Sequence, residues 1–402
     1  MVTSSVASGK LAVEGGTPVR GPDNPFTRNS PREMGPKALD LVKKVLDSGW
    51  TYSMVADFEK VFAEACETDC AVGVSNCTAA NHAVLGALGV GPGDEVVVSA
   101  ISDYGSIAGI GYQGAKIAFS DVDEHTGKTT AEEMEKVITP RTKAIIAVHF
   151  YGQMCEMDPI VELGRKHGVP VIEDVAQTTL GHYKGKTAGS IGDIGTFSFN
   201  SSKLLSTNTG GAVTTDNQEL AEAVRRFAVD RGAIYLVNQI GAARYHPGPG
   251  YNYRMGELEA AVAIANLETL PAQNERRIER GEKLSAELAK IDGLTPPRVT
   301  EPGSHLYWMY HVQFDREKFR VGMDEIELAI KAEGLDGMFP MYYLIPHSHH
   351  FLENREQDLA RLVNARSHVE TTFRFSWTYR MTDSDITDIA EVFAKVTDAY
   401  RA

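Results

Sequence analysis

Between residues 36 and 215, seven short apolar runs alternate with helical patterns, and that alternation restricts the chain to an α/β layer architecture built on a largely parallel sheet. The runs are CAVGV (70–74), EVVVSA (95–100), KIAFSDV (116–122), AIIAVHF (144–150), VPVIED (169–174), GTFSF (195–199) and GAVTT (211–215). Several are continuous rather than alternating, as strands covered on both faces must be. Helices predicted between them include residues 78–89, opened by Thr78 and ended by Gly89, and residues 217–231, opened by Asp216 with Glu219 in a capping box and closed by Gly232. After residue 232 the texture changes. A loop rich in Gly, Pro and Tyr (GAARYHPGPGYNYRM) leads into ELEAAVAIANLETL and a charged amphipathic helix, NERRIERGEKLSAELAKI. A strand at 307–314, a helix near 323–333 and a final helix from Thr382 to about Tyr400 predict a smaller α+β unit. The expected division is an N-terminal arm over 1–25, a large domain over 26–265 and a small domain over 266–402.

Charge narrows the function. Forty Lys and Arg against 54 Asp and Glu leave a net charge of −14, the wrong sign for a protein that neutralises phosphate backbones, so no nucleic-acid partner is expected. The four cysteines form no C-x-x-C pair and no zinc-finger set with histidine, so neither a disulfide framework nor a structural zinc is expected. The N-terminus has no apolar signal region and no stretch approaches 18 apolar residues; the chain reads as cytoplasmic, with no membrane partner.

Two residues stand where α/β enzymes place chemistry. The run VPVIED ends in Asp174, and ligands of open α/β sheets bind beyond the carboxyl ends of strands. A carboxylate there either keeps a cofactor's ring nitrogen protonated or caps a helix. Lys203 follows the run GTFSF among small hydroxyl and glycine residues; it either forms a Schiff base with an aldehyde cofactor and shuttles protons, or holds a loop carbonyl. In GVSNCTAANHAV, a strand meets a helix at Asn76, Cys77 and Thr78, which reads equally as a phosphate cup and as ordinary capping. Tyr104, just after EVVVSA, offers a stacking face or packs a loop. HSHH (347–350) lacks metal-pair spacing on a helix face, so no metal is expected, and no dinucleotide fingerprint, G-x-S-x-G elbow or phosphate-binding loop occurs.

In this order, SNCTAA, Tyr104, VIEDVAQ, YKGKTAGSIGDIGTFSFNSSKLLSTNTGGAVTTD and GYNYRMGELEAA resemble the DegT/StrS-type family of pyridoxal-phosphate aminotransferases, from residue 11 through the final helix. The resemblance implies the aspartate-aminotransferase fold type, a large domain with a central, mostly parallel seven-stranded sheet plus a smaller C-terminal domain, and a homodimer with shared active sites. It implies pyridoxal 5'-phosphate as cofactor, Lys203 as the lysine that binds it, and Asp174 as the partner of its ring nitrogen. Gln177 matches the position near the phenolic oxygen or ring, Tyr104 the stacking aromatic, and Ser198, Cys77 and Thr78 phosphate-binding positions. Asn252 matches the residue that reaches the neighbouring subunit's cofactor phosphate. Arg254, Tyr342, His347, Arg374 and Trp377 are either substrate contacts or structural. The implied reaction carries an amino group from L-glutamine or L-glutamate to a keto-sugar or keto-cyclitol. LAVEGGTPVR resembles the branch acting on inososes and aminohydroxybenzoate precursors in antibiotic pathways. Another pyridoxal-phosphate reaction, such as dehydration or a lyase step, and a catalytically silent scaffold are the alternatives; the family's dehydratase branch carries histidine where this chain has Lys203. Three departures bear on specificity: Cys77 replaces the usual glycine, Asn208 and Thr209 open a run that is usually Gly-Glu-Gly-Gly, and Phe375, Ser376 and Trp377 replace Leu-Pro-Leu.

Overall fold

A computed structural model describes residues 9–231, 234–236, 243–245, 250–299, 302–340, 344–349, 352 and 355–402. All seven apolar runs are strands of one sheet: β1 (Cys70–Val74), β2 (Glu95–Ser99), β3 (Lys116–Ser120), β4 (Thr142–Val148), β5 (Val171–Asp174), β6 (Ile194–Ser198) and β7 (Gly211–Thr215). Their spatial order is β1-β7-β6-β5-β4-β2-β3. The five strands from β6 to β3 run parallel, while β7 is antiparallel to both β1 and β6. The carboxyl ends of the parallel strands therefore share one edge, and Asp174 pairs in register with Val148 on one side and Thr196 on the other.

Helices α1 (Ala38–Asp47), α2 (Met54–Ala65), α3 (Cys77–Ala87) and α4 (Tyr104–Tyr112) precede or join the first strands, and α5 (Met157–His167) and α6 (Gln218–Ala228) follow β4 and β7. Two helix starts differ from the expectation by a residue or two. Asn76, not Thr78, caps α3, its side-chain oxygen accepting from Ala79 N–H at 2.8 Å. Asn217, not Asp216, caps α6 through Leu220 N–H at 3.0 Å, and no Glu219 capping box forms; Gly232 lies outside the described residues. In both cases asparagine is as good a cap as its neighbour, and the approach of the chain decides between them. The stretch expected as one loop after residue 232 contains a short hairpin, Ile234–Leu236 with Ala243–Tyr245.

A second sheet of four strands, β8 (Leu294–Thr295), β9 (Met309–Phe314), β10 (Met338–Pro340) and β11 (Thr372–Ser376), is antiparallel in the order β8-β9-β11-β10. It packs with α8 (Leu270–Leu288), α9 (Met323–Ala332) and α10 (Asp383–Tyr400) around a separate core that includes Tyr310, Phe375, Trp377 and Phe393. Helix α7 (Glu257–Leu267) joins the two units and packs on α1 and α2. Packing crosses the expected divisions. Leu11 of the arm and Phe26 at the start of the expected large domain belong to the second core, and Leu306, Trp308, Leu344 and Leu362 belong to the first. The arm is pinned by Arg20, 7% exposed, which pairs with Asp385 at 3.1 Å and Asp388 at 2.7 Å. Among the described residues no helix is long and apolar enough to cross a membrane.

Candidate active site

Asp174 is held before any ligand arrives. It ends β5 with 3% exposure, and its Oδ2 accepts from Ser106 Oγ at 2.7 Å and from Asn81 Nδ2 at 3.2 Å. Oδ1 accepts from Ala176 N–H at 3.1 Å and faces Cys77 Sγ at 3.9 Å. Asn81 is itself fixed by the Thr196 hydroxyl at 2.8 Å. Two neutral donors on one oxygen fix the direction of this buried carboxylate. Neither Asn81 nor Ser106 was singled out from the sequence. The signal available was the pair of polar residues on otherwise buried stretches of α3 and α4.

Lys203 occupies the loop between β6 and β7. Phe199 N–H to Gly210 O and Thr207 N–H to Phe199 O, both 2.9 Å, fold this loop back on itself, and Asn208 turns it with φ of +73°. The family's usual glycine at that position fits the left-handed region, and asparagine is the residue that replaces it at least cost. Burial pushes the Lys203 ammonium below its ordinary 10.5, with Asp103, Asp174 and Cys77 pulling the other way. A lysine so placed gives up its proton more readily than a surface one. Its Nζ lies 4.0 Å from the centre of the Trp308 ring, and Trp308 is anchored through Nε1 to Ser202 O at 2.7 Å. That contact spans about a hundred residues of chain, so no local pattern marks it. Burial, followed by the Asp174 charge, raises the Cys77 thiol well above its ordinary range, so it stays neutral beside Asp174.

Around this pair the structure offers donors without acceptors. With Asn76 occupied as the cap, the N–H groups of Cys77 and Thr78 at the first turn of α3 have no acceptor among the described residues. Gly105 lets α4 approach, since a Cβ there would lie 2.8 Å from Thr78 Oγ1 and 3.1 Å from Asp103 Oδ1. Gln177, 3% exposed, accepts from Tyr151 N–H at 2.6 Å, which leaves its amide NH2 as a donor with no acceptor among the described residues. Ser198 ends β6, opposite Gly211, its Oγ accepting from Asn200 N–H at 3.5 Å. An acid for a ring nitrogen, an amine of lowered pKa, a helix N-terminus for a phosphate and an amide donor form a set that fits pyridoxal 5'-phosphate.

The other expected residues have the following surroundings. Tyr104 is 39% exposed, and its ring stacks on His349 with centroids 5.3 Å apart. Asn252 and Arg254 are exposed and bonded to each other, Asn252 Oδ1 accepting from Arg254 Nε at 2.9 Å, while the adjacent Tyr253 carbonyl accepts from Ser75 N–H at 2.7 Å. Arg374, on β11, lies 5.7 Å from the Phe339 ring. Trp377 occupies a packing position instead of a substrate-facing one: it is 1% exposed, stacks against Tyr310 and donates to Arg277 O at 3.2 Å. Tyr342 and the His347 side chain lie outside the described residues. No group of His, Cys, Asp and Glu among the described residues is arranged to hold a metal.

Comparison with known proteins agrees with this geometry. The model of the DegT/DnrJ/EryC1/StrS aminotransferase family matches residues 32–394. A GDP-perosamine synthase from Caulobacter vibrioides is 38% identical over 77% of this chain and 84% of its own length. The spore coat polysaccharide biosynthesis protein SpsC of Bacillus subtilis is 34% identical over 89% of this chain and 94% of its own. The solved structure of an aminotransferase from Psychrobacter cryohalolentis, 31% identical, superposes with a TM-score of 0.83 over 94% of this chain and all of that one.

Proposed function

Because the chain belongs to the DegT/DnrJ/EryC1/StrS aminotransferase family and is a pyridoxal-phosphate-dependent aminotransferase, we propose that it moves an amino group from L-glutamine or L-glutamate to a keto-sugar, as a homodimer. The observation that carries the reading is the buried Asp174, fixed by Ser106 and Asn81, facing the same sheet edge as a lysine whose pKa is lowered by burial. When bound, pyridoxal phosphate supplies an aldehyde for the amine and a ring that takes up electrons from the carbon losing its proton. Lys203 would hold the cofactor through its amine, and the same Nζ, once released, would move the α-proton of the donor. Asp174 would pair with the ring nitrogen and favour its protonated form. The Cys77 and Thr78 N–H groups would hold the phosphate, the Gln177 amide would donate near the phenolic oxygen or ring, and Ser198 lies at the strand end beside them.

A sugar acceptor is favoured by the relatives, one a GDP-perosamine synthase and one a polysaccharide biosynthesis protein. An inosose-type cyclitol and an antibiotic pathway rest on the LAVEGGTPVR segment alone. In the homodimer Asn252 and Arg254 serve the neighbouring subunit's site, and Arg374 and His347 serve the acceptor. The test is the holoenzyme with each amino donor and, in parallel, nucleoside-diphosphate keto-sugars and keto-cyclitols, with amine product measured. Amination of a nucleotide keto-sugar is the expected result; turnover confined to cyclitols contradicts the proposal.

A further inference from the structure

Beside the lysine loop lies a second polar cavity, of about 20 Å³, whose wall includes Leu204 and Ser206 of that loop. Three arginines from distant parts of the chain meet there: Arg32 before α1, Arg277 of α8 and Arg380 before α10. Arg277 is 2% exposed, and its guanidinium is charged at neutral pH. Its Nε has no acceptor and its Nη1 reaches Asn274 Oδ1 only at 3.4 Å. Among the described residues none of the three arginines makes an ion pair. Arg32 donates to the Lys203 carbonyl at 2.5 Å and Arg380 to the Arg28 carbonyl at 2.5 Å, both neutral acceptors. The one acid on the cavity wall, Glu33, is exposed and accepts instead from the Tyr379 hydroxyl at 2.9 Å. Burial, followed by the like charge of Arg32, pushes Arg277 down to about 9, with Tyr379 opposing.

A buried cation beside a second cation, with no counter-charge, is strongly unfavourable. We propose that this cavity is a binding site for one small inorganic anion of chloride size, which offsets the like charges of Arg277 and Arg32 and couples anion binding to the lysine loop. A cavity needs roughly 10–15 Å³ to hold one water molecule, so this one has room for a monatomic ion. None of the residues assigned to the cofactor lines it, and the inference stands without the reading of the reaction. The coupling runs through Arg32, whose guanidinium faces the anion and holds the Lys203 carbonyl.

The experiment melts the full-length holoenzyme in sodium gluconate with increasing sodium chloride or bromide at constant ionic strength. A saturable rise of roughly 1–2 °C at about tenfold above the dissociation constant is expected for a chain of this length, and its loss in Arg277→Met and Arg32→Gln. Should the Arg277 variant not fold, crystals of the unmodified protein soaked in bromide decide the matter: an anomalous peak within hydrogen-bond reach of Arg277 and Arg32 supports the site. The absence of both a saturable response and a bromide peak, including a cavity filled by a partner chain's carboxylate, overturns it.

Discussion

Lys203→Ala is expected to lower transamination by about 10⁴-fold or more while leaving the protein folded. The amine has two tasks at one atom, holding the cofactor and moving the proton, beside Asp174, Cys77 and Asp103. Arginine cannot substitute, because a guanidinium neither loses its proton at accessible pH nor serves as a nucleophile, so Lys203→Arg is expected to be equally inactive. The fold tolerates both changes. Lys203 lies in a loop, and its backbone bonds to Asn200 and Arg32 do not depend on the side chain. Steady-state rates beside thermal melts check the expectation; a variant within tenfold of the parent removes Lys203 from the mechanism.

Asp174→Asn is expected to reduce kcat by about 10²–10³-fold, with a much smaller change in KM for the amino donor. The substitution keeps the shape and an oxygen able to accept from Ser106 and Asn81 at their present 2.7 and 3.2 Å. What it removes is the negative charge, and with it the reason for a ring nitrogen to stay protonated in a water-poor site. The loss therefore falls on the step in which electrons enter the ring, which is a kcat effect. Equal loss in kcat/KM and cofactor affinity with unchanged kcat contradicts this role, since the carboxylate then acts only in holding the ring.

The central sheet was legible because each strand is an apolar run bounded by turn residues, and a parallel sheet buried on both faces leaves that signature undiluted. Lys203 and Asp174 were legible as candidates for a related reason: Asp174 ends a buried strand and Lys203 lies in the loop after one, where a helix cap or a loop carbonyl was the alternative to chemistry. Helix starts were legible only to within a residue or two, as Asn76 and Asn217 show, since adjacent Asn, Asp and Thr compete for one cap. The contacts that finish the site were not legible. Trp308 over Lys203, Arg32 on the Lys203 carbonyl and Ser106 on Asp174 join segments far apart in the chain that meet only in the folded structure. Trp377 shows the converse, an aromatic beside a variable motif whose ring the second core claims.

The central claim is that Lys203 and Asp174 together carry out the first half of a transamination. The most direct measurement is the visible spectrum of the purified protein with pyridoxal phosphate, before and after L-glutamine or L-glutamate, with no acceptor present. The account predicts that one of them converts the band of the bound aldehyde form to that of the amine form, and that Lys203→Ala prevents the conversion. A protein that binds the cofactor and is unchanged by either amino acid contradicts it.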